Sequence, residues 1–182
     1  MPNAIVWFRH DLRLDDHPAL RAALDEGFTP VPVYIHAPEE EGEWAPGAAS
    51  QAWLHPSLAA LDDDLRRRGS RLLVRQGRSA ETLQALIDAS GATAVFWNRK
   101  YEPATQPRDA AIKQALRDQG LRVESFNGSL LIEPWDIATQ QGQPYKVFTP
   151  FWRTALTKWR VASPWDAPSR LPAVDASLGG EA

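Results

Sequence analysis

Cysteine is absent from all 182 residues, which excludes disulfides, thiolate metal sites and cysteine nucleophiles. Histidine is sparse, and His10, His17, His36 and His55 stand apart, without metal-ligand spacing or a serine nucleophile beside them. No catalytic residue and no metal ligand is assigned on these grounds. Neither G-x-G-x-x-G nor G-x-x-x-x-G-K-[ST] occurs, so the backbone N–H cradle of ordinary dinucleotide and P-loop nucleotide sites is missing. No apolar run approaches the ~20 residues of a membrane helix. Met1 leads straight into a strand-like run with no signal-peptide pattern, and a cytoplasmic location without membrane contact is the expectation. Positive charge is also short, because 20 Lys and Arg face 23 Asp and Glu for a net charge of -3. Binding to a nucleic-acid backbone rests on clustered cations that displace counterions, so this chain is not expected to hold DNA by itself.

What is present reads as a globular α/β protein, with 43% hydrophobic and 24% charged residues. Its length suits one domain and a tail. Strand-like apolar runs recur at Ala4–Phe8, Val31–Ile35, Leu72–Val74, Ala94–Trp97 and Arg122–Phe126, separated by segments of helical periodicity. That alternation predicts βαβ units with right-handed crossovers. The expected fold is a Rossmann-like, doubly wound, five-stranded parallel sheet in the order 3-2-1-4-5 with helices on both faces.

The helices carry their own signals. The first is expected from His17-Pro18 to about Glu26, with Asp15 or Asp16 as N-cap. Leu54, Leu58, Leu61 and Leu65 share one face of a second, from about Ala48 to Arg68, unless Pro56 delays its start to His55 or kinks it. Its far end sets Asp62, Asp63 and Asp64 four residues before Arg66, Arg67 and Arg68, a solvated face of i,i+4 pairs. A third helix is expected from Ser79 to Gly91 and a fourth from Pro107 to Gln119. Beyond residue 130 the pattern changes to polar turns and a last helix, Pro150 to about Val161. The Pro, Ser and Gly content then rises, which reads as extended linker. The expected division is therefore a domain over 1–130 and a connecting segment over 131–182.

In a doubly wound sheet, ligands bind beyond the carboxyl ends of the strands where the strand order reverses. The first strand ends there in Arg9-His10-Asp11, the fourth in Asn98-Arg99-Lys100-Tyr101-Glu102, and the second supplies His36. Amide, guanidinium, aromatic and carboxylate groups at one crevice suit a planar heterocycle with polar edges.

The string VWFRHDLRLDDHPAL, Val6 to Leu20, with Arg9, Asp11, Leu12, Arg13 and Asp16, resembles the amino-terminal antenna domain of the DNA photolyase and cryptochrome family. The segments GAASQAWLHPSLAALDDDL, VFWNRKYEP and GSLLIEPWDI with GQPYKVFTPFWR extend the resemblance over residues 5 to 153. It implies a domain that holds a light-harvesting chromophore, a methenyltetrahydrofolate or else a flavin or deazaflavin, and passes excitation to FAD. The FAD and the contact with damaged DNA belong, by the same resemblance, to a helical domain of a longer parent that repairs pyrimidine dimers. A cryptochrome-type photoreceptor shares the domain, and a general nucleotide-binding α/β domain is the reading from outside the family. The pocket residues expected by position are Arg9, Asp11, His36, Gln51, Asn98, Tyr101 and Glu102. The family commonly has an Arg at the position of Ser50 or Gln51, and neither residue here is basic.

Overall fold

β1 (Asn3–Phe8) carries Ile5, Val6, Trp7 and Phe8 with almost no surface exposed, and such a run is stable only inside a sheet covered on both faces. A computed structural model describes residues 1–139, 141–160 and 162–179. In it β1 pairs in parallel with β2 (Thr29–His36) on one side and β4 (Ala94–Asn98) on the other. β3 (Leu73–Gln76) and β5 (Arg122–Phe126) complete the expected order, β3-β2-β1-β4-β5.

Strand alternation sorts the core into two layers. Ile5, Trp7, Val33, Val95 and Trp97 enter the layer shared with α3 (Ser79–Ser90) and α4 (Thr105–Asp118). Ala4, Val6, Phe8 and Phe96 enter the layer shared with α1 (Pro18–Asp25) and α2 (Ala48–Arg67). β2 tolerates Pro30 and Pro32 for a geometric reason. The Thr29 N–H donates to the Pro2 carbonyl at 2.8 Å, so alternation turns the nitrogens of residues 30 and 32 the other way. On that flank β3 begins only at the Val33–Leu73 pair, and no acceptor awaits an N–H there.

Local expectations are corrected at the α1 cap, in the α2 ion pairs and at the start of α4, and the open question at Pro56 is decided for a continuous α2. The α1 N-cap is His17, whose Nδ1 accepts from the Leu20 N–H, while Asp16 adopts φ 44° in the turn before it. α2 runs unbroken through Pro56, and the Ala52 carbonyl, which loses its usual donor, lies on an exposed stretch of the helix. Only Leu61 and Leu65 of α2 are fully buried, so its first half stands off the core. Of the three expected ion pairs, Asp62–Arg66 and Asp64–Arg68 form at 2.6 and 2.9 Å, and Arg67 turns to Asp64 instead. α4 starts two residues before its predicted Pro107.

The tail read as solvated linker differs most. Its residues 165–179 belong to the same compact unit as residues 1–128, and among these described residues there is no regular strand or α-helix. Leu171, Val174 and Leu178 are buried, the Leu171 N–H donates to Arg68 O at 2.8 Å, and Arg71 donates to Asp175 O at 2.8 Å. Its composition suppresses regular structure but leaves three apolar side chains that gain by burial.

Residues 129–164 form the second unit. It contains a short 3-10 turn at Pro134–Asp136 and α5 (Phe148–Lys158), where Phe148 and Trp152 stack with ring centroids 6.0 Å apart. The predicted end of this helix, Val161, lies outside the described residues.

Candidate functional site

Asn98 closes β4 at the point where strand order reverses, and its side chain ties three elements together. Its Nδ2 donates to Asp11 Oδ2 at 2.6 Å and its Oδ1 accepts from the Ala19 N–H of α1 at 3.2 Å. His17 Nε2 lies 2.8 Å from the same Asp11 oxygen. Because His17 Nδ1 already accepts the Leu20 N–H, the network assigns the ring proton to Nε2, facing Asp11. Pro18 at the first helical position has no N–H, so Asn98 and His17 between them satisfy the next two amides of α1. The backbone at Gly128 presses against this network, and a Cβ there would lie 2.7 Å from Asn98 Cγ. Burial by itself would raise the Asp11 carboxyl, but the hydrogen bond and attraction of His17 with the Arg9 N–H outweigh it and hold the group below the usual aspartate range. That stabilisation is present above the ordinary aspartate pKa and is lost as pH falls through the depressed one.

Beside this network a cleft of about 690 Å³ opens over the carboxyl ends of β1, β2 and β4, bounded by the first half of α2. Its floor is Trp7, and the Arg9 and Arg108 guanidinium carbons lie 4.9 and 5.5 Å from the ring centroid. Arg9 donates to Asp109 and to the Asn98 carbonyl, and burial pulls its guanidinium below the ordinary range while Asp109 opposes the shift. Arg108 bridges Asp109 at 2.8 Å and Glu40 at 3.2 Å. Lys100 Nζ meets Glu41 at 2.6 Å.

Glu40 and Glu41 come from 3-10 turns over Pro38–Trp44, bent at Gly42, whose φ of 59° belongs to the left-handed region. Glu40 also accepts from the Ser79 N–H at 3.0 Å, which anchors the loop to the start of α3. The bend delivers Trp44 to one wall, and the free-standing half of α2 delivers Trp53, Leu54 and Gln51 to another. Trp44 and Trp53 are 73% and 77% exposed, both on the lining of this one cleft.

Of the seven predicted pocket residues, Arg9, His36, Gln51 and Glu102 line the cleft, whereas Asp11, Asn98 and Tyr101 do not. Asp11 and Asn98 hold the neighbouring turn. Gln51 donates to Pro46 O at 2.8 Å, so a neutral side chain fixes the α2 start against the cleft wall. His10 lies 3.9 Å from Glu102. Burial and then Lys100 lower the His10 pKa, so the ring is uncharged at neutral pH. Burial works to raise the Glu102 carboxyl, yet its own backbone hydrogen bond, Lys100, His10 and Thr105 together lower it, and it stays ionised. Sequence reasoning missed the loop of Glu40, Glu41 and Trp44 and its partners Lys100 and Arg108. The acidic run before Gly42 was the available signal, but nothing in it announces which carboxylates turn inward.

Comparison with known proteins was made against this geometry. The DNA photolyase family model matches residues 4–172. A deoxyribodipyrimidine photo-lyase of Agrobacterium fabrum is 46% identical over 93% of this chain and 35% of its own length. Cryptochrome-2 of Arabidopsis thaliana is 43% identical over 84% of this chain and 25% of its own. The crystal structure of a bacterial class III photolyase from Agrobacterium tumefaciens superposes with a TM-score of 0.87 at 45% identity, covering 97% of this chain and 36% of that one. An archaeal photolyase from Sulfolobus tokodaii, described with two FAD molecules, gives 0.75 at 25% identity over 96% and 39%. The chain thus spans about a third of the length of most of these relatives.

Proposed function

This chain belongs to the DNA photolyase family, and from that premise we propose that its cleft is a chromophore site serving light capture for a longer light-driven repair enzyme. The single observation that carries this reading is the pair of exposed tryptophans, Trp44 and Trp53, brought from separate elements to the walls of one cleft. A globular fold gains by covering indole faces, and a planar ring laid between such walls does so.

The residues present fit a ring of the methenyltetrahydrofolate or flavin kind. Trp44 and Trp53 offer stacking faces, Glu102 offers an ionised acceptor for ring N–H edges, and His36 and Gln51 offer further polar contacts. When bound, such a group supplies near-ultraviolet and visible absorption. Arg9 and Arg108 lie against the Trp7 ring and hold it in place, and the Glu40–Ser79 contact ties the Trp44 loop to the start of α3. FAD, an excited-state electron donor to a pyrimidine dimer, is assigned by the same reading to the remaining length of the relatives, as is contact with damaged DNA. Identity with a cryptochrome nearly equals that with a photolyase, which supports a photoreceptor as the second reading. Photoreactivation by a protein of the relatives' full length separates the two.

The test of the site is an absorption spectrum of the purified chain after incubation with methenyltetrahydrofolate or with riboflavin and removal of free ligand. A retained band, weakened about tenfold in affinity by Trp44→Ala or Trp53→Ala, is the expected result, since a stacked ring is worth ~1–3 kcal/mol. No retained band from either ligand overturns the reading.

A further inference from the structure

The cations lining the cleft are already engaged. Arg9 and Arg108 share Asp109, Arg108 also reaches Glu40, and Lys100 is held by Glu41. Arg13, the remaining one, donates to the carbonyls of Asp15, Asp16 and Gly128 at 3.2, 3.0 and 2.9 Å. His10 is uncharged at neutral pH, and Glu102 is ionised on the same lining.

A bound phosphate needs charge-assisted donors that are free to turn towards it. Recruiting Lys100 would leave Glu41 with Arg108 alone, at 4.0 Å, and recruiting Arg108 would leave Glu40 with Ser79 alone; a carboxylate that loses its nearest cation in a partly buried setting opposes the gain. The N–H of Ser79, at the start of α3, is likewise taken by Glu40. Glu41 on the lining, and Glu40 next to it in the chain, therefore hold in advance the donors that a phosphate would use.

Resting on the chromophore reading above, we infer that this cleft selects against phosphate: it takes a planar ring system carrying none, and a flavin nucleotide gains nothing from its phosphate here. Any anionic tail on the ring stays in solvent. The distinguishing residues are Glu40 and Glu41, not the ring-stacking tryptophans. The Sulfolobus relative, described with two FAD molecules, marks the contrast, since FAD carries a pyrophosphate.

Titration of the full chain with riboflavin and with FMN, which share a ring and differ by one phosphate, tests this directly. The expected result is FMN binding no tighter than riboflavin. Glu41→Gln, which releases Lys100, moves the affinity ratio towards FMN by about tenfold, the worth of one hydrogen bond to a charged group. Gln51→Arg places an uncommitted guanidinium at an exposed position of the same wall and moves the ratio the same way without touching the buried pairs. FMN binding about tenfold tighter than riboflavin in the unaltered chain, or no shift of the ratio in either variant, overturns the inference while leaving the ring site intact. If methenyltetrahydrofolate alone is retained, an affinity left unchanged by an excess of inorganic phosphate over a matched chloride control supports the inference, and competition by phosphate overturns it. Rejection of all three overturns the chromophore reading and this inference with it.

Discussion

At the scale of single residues, Asn98 and Gly128 depend on each other. Asn98 is 3% exposed and makes its hydrogen bonds to Asp11 and Ala19 in a space that leaves no room for a methyl group on residue 128. Gly128→Ala must displace the amide from both partners, and overpacking of this kind costs about 1–3 kcal/mol. A urea titration is expected to show that loss as a lower midpoint with unchanged slope; an unaltered midpoint would contradict the crowding. The family string Arg9 to His17 was legible as a turn full of charge, but not how its members divide their work. His17 was missed as the cap because Asp15 and Asp16 are the commoner cap type and sit just before it. Only the tertiary contact from Asp11 fixes the imidazole tautomer that makes a cap of it.

At the scale of elements, α2 is two helices in energetic terms. Its second half is bound by Leu61 and Leu65, and its first half, with Trp53 and Gln51, is held by little beyond the helix itself. Pro56 sits at the junction and removes one backbone hydrogen bond, so the cleft wall is the part of the helix most ready to open. Pro56→Ala restores that bond, and hydrogen exchange of amides 51–55 is expected to slow by up to about a hundredfold, in line with the ~3 kcal/mol helix penalty of proline. Equal exchange rates in the two proteins would show that the first half is fixed by other contacts. All five strands and their order were readable, the central ones because a buried parallel strand is a continuous apolar run and the edge strands β3 and β5 from their place in the strand–helix alternation. The site was half readable: strand ends supplied Arg9, His36 and Glu102, whereas the Glu40–Trp44 loop has no periodicity and takes its shape from Ser79, Lys100 and Arg108, distant in sequence.

At the scale of the whole molecule, the segment after Trp165 is part of the α/β unit's stability. Leu171 is 3% exposed in the layer with Leu61 and Leu65, so Leu171→Ala is expected to cost about 2–4 kcal/mol and lower the denaturation midpoint of the sheet itself. A midpoint equal to that of the unaltered chain would return the tail to the role of a solvated strand of linker. No helix among the described residues is long and apolar enough to cross a membrane. Pairing along one flank of β2 starts only with β3, at Val33–Leu73, and the preceding Pro30 and Pro32 are nevertheless buried. With the nitrogens of Pro30 and Pro32 turned to that flank, no N–H is buried there ahead of a ladder partner. The two prolines thus let β2 enter the core before its outer neighbour has begun.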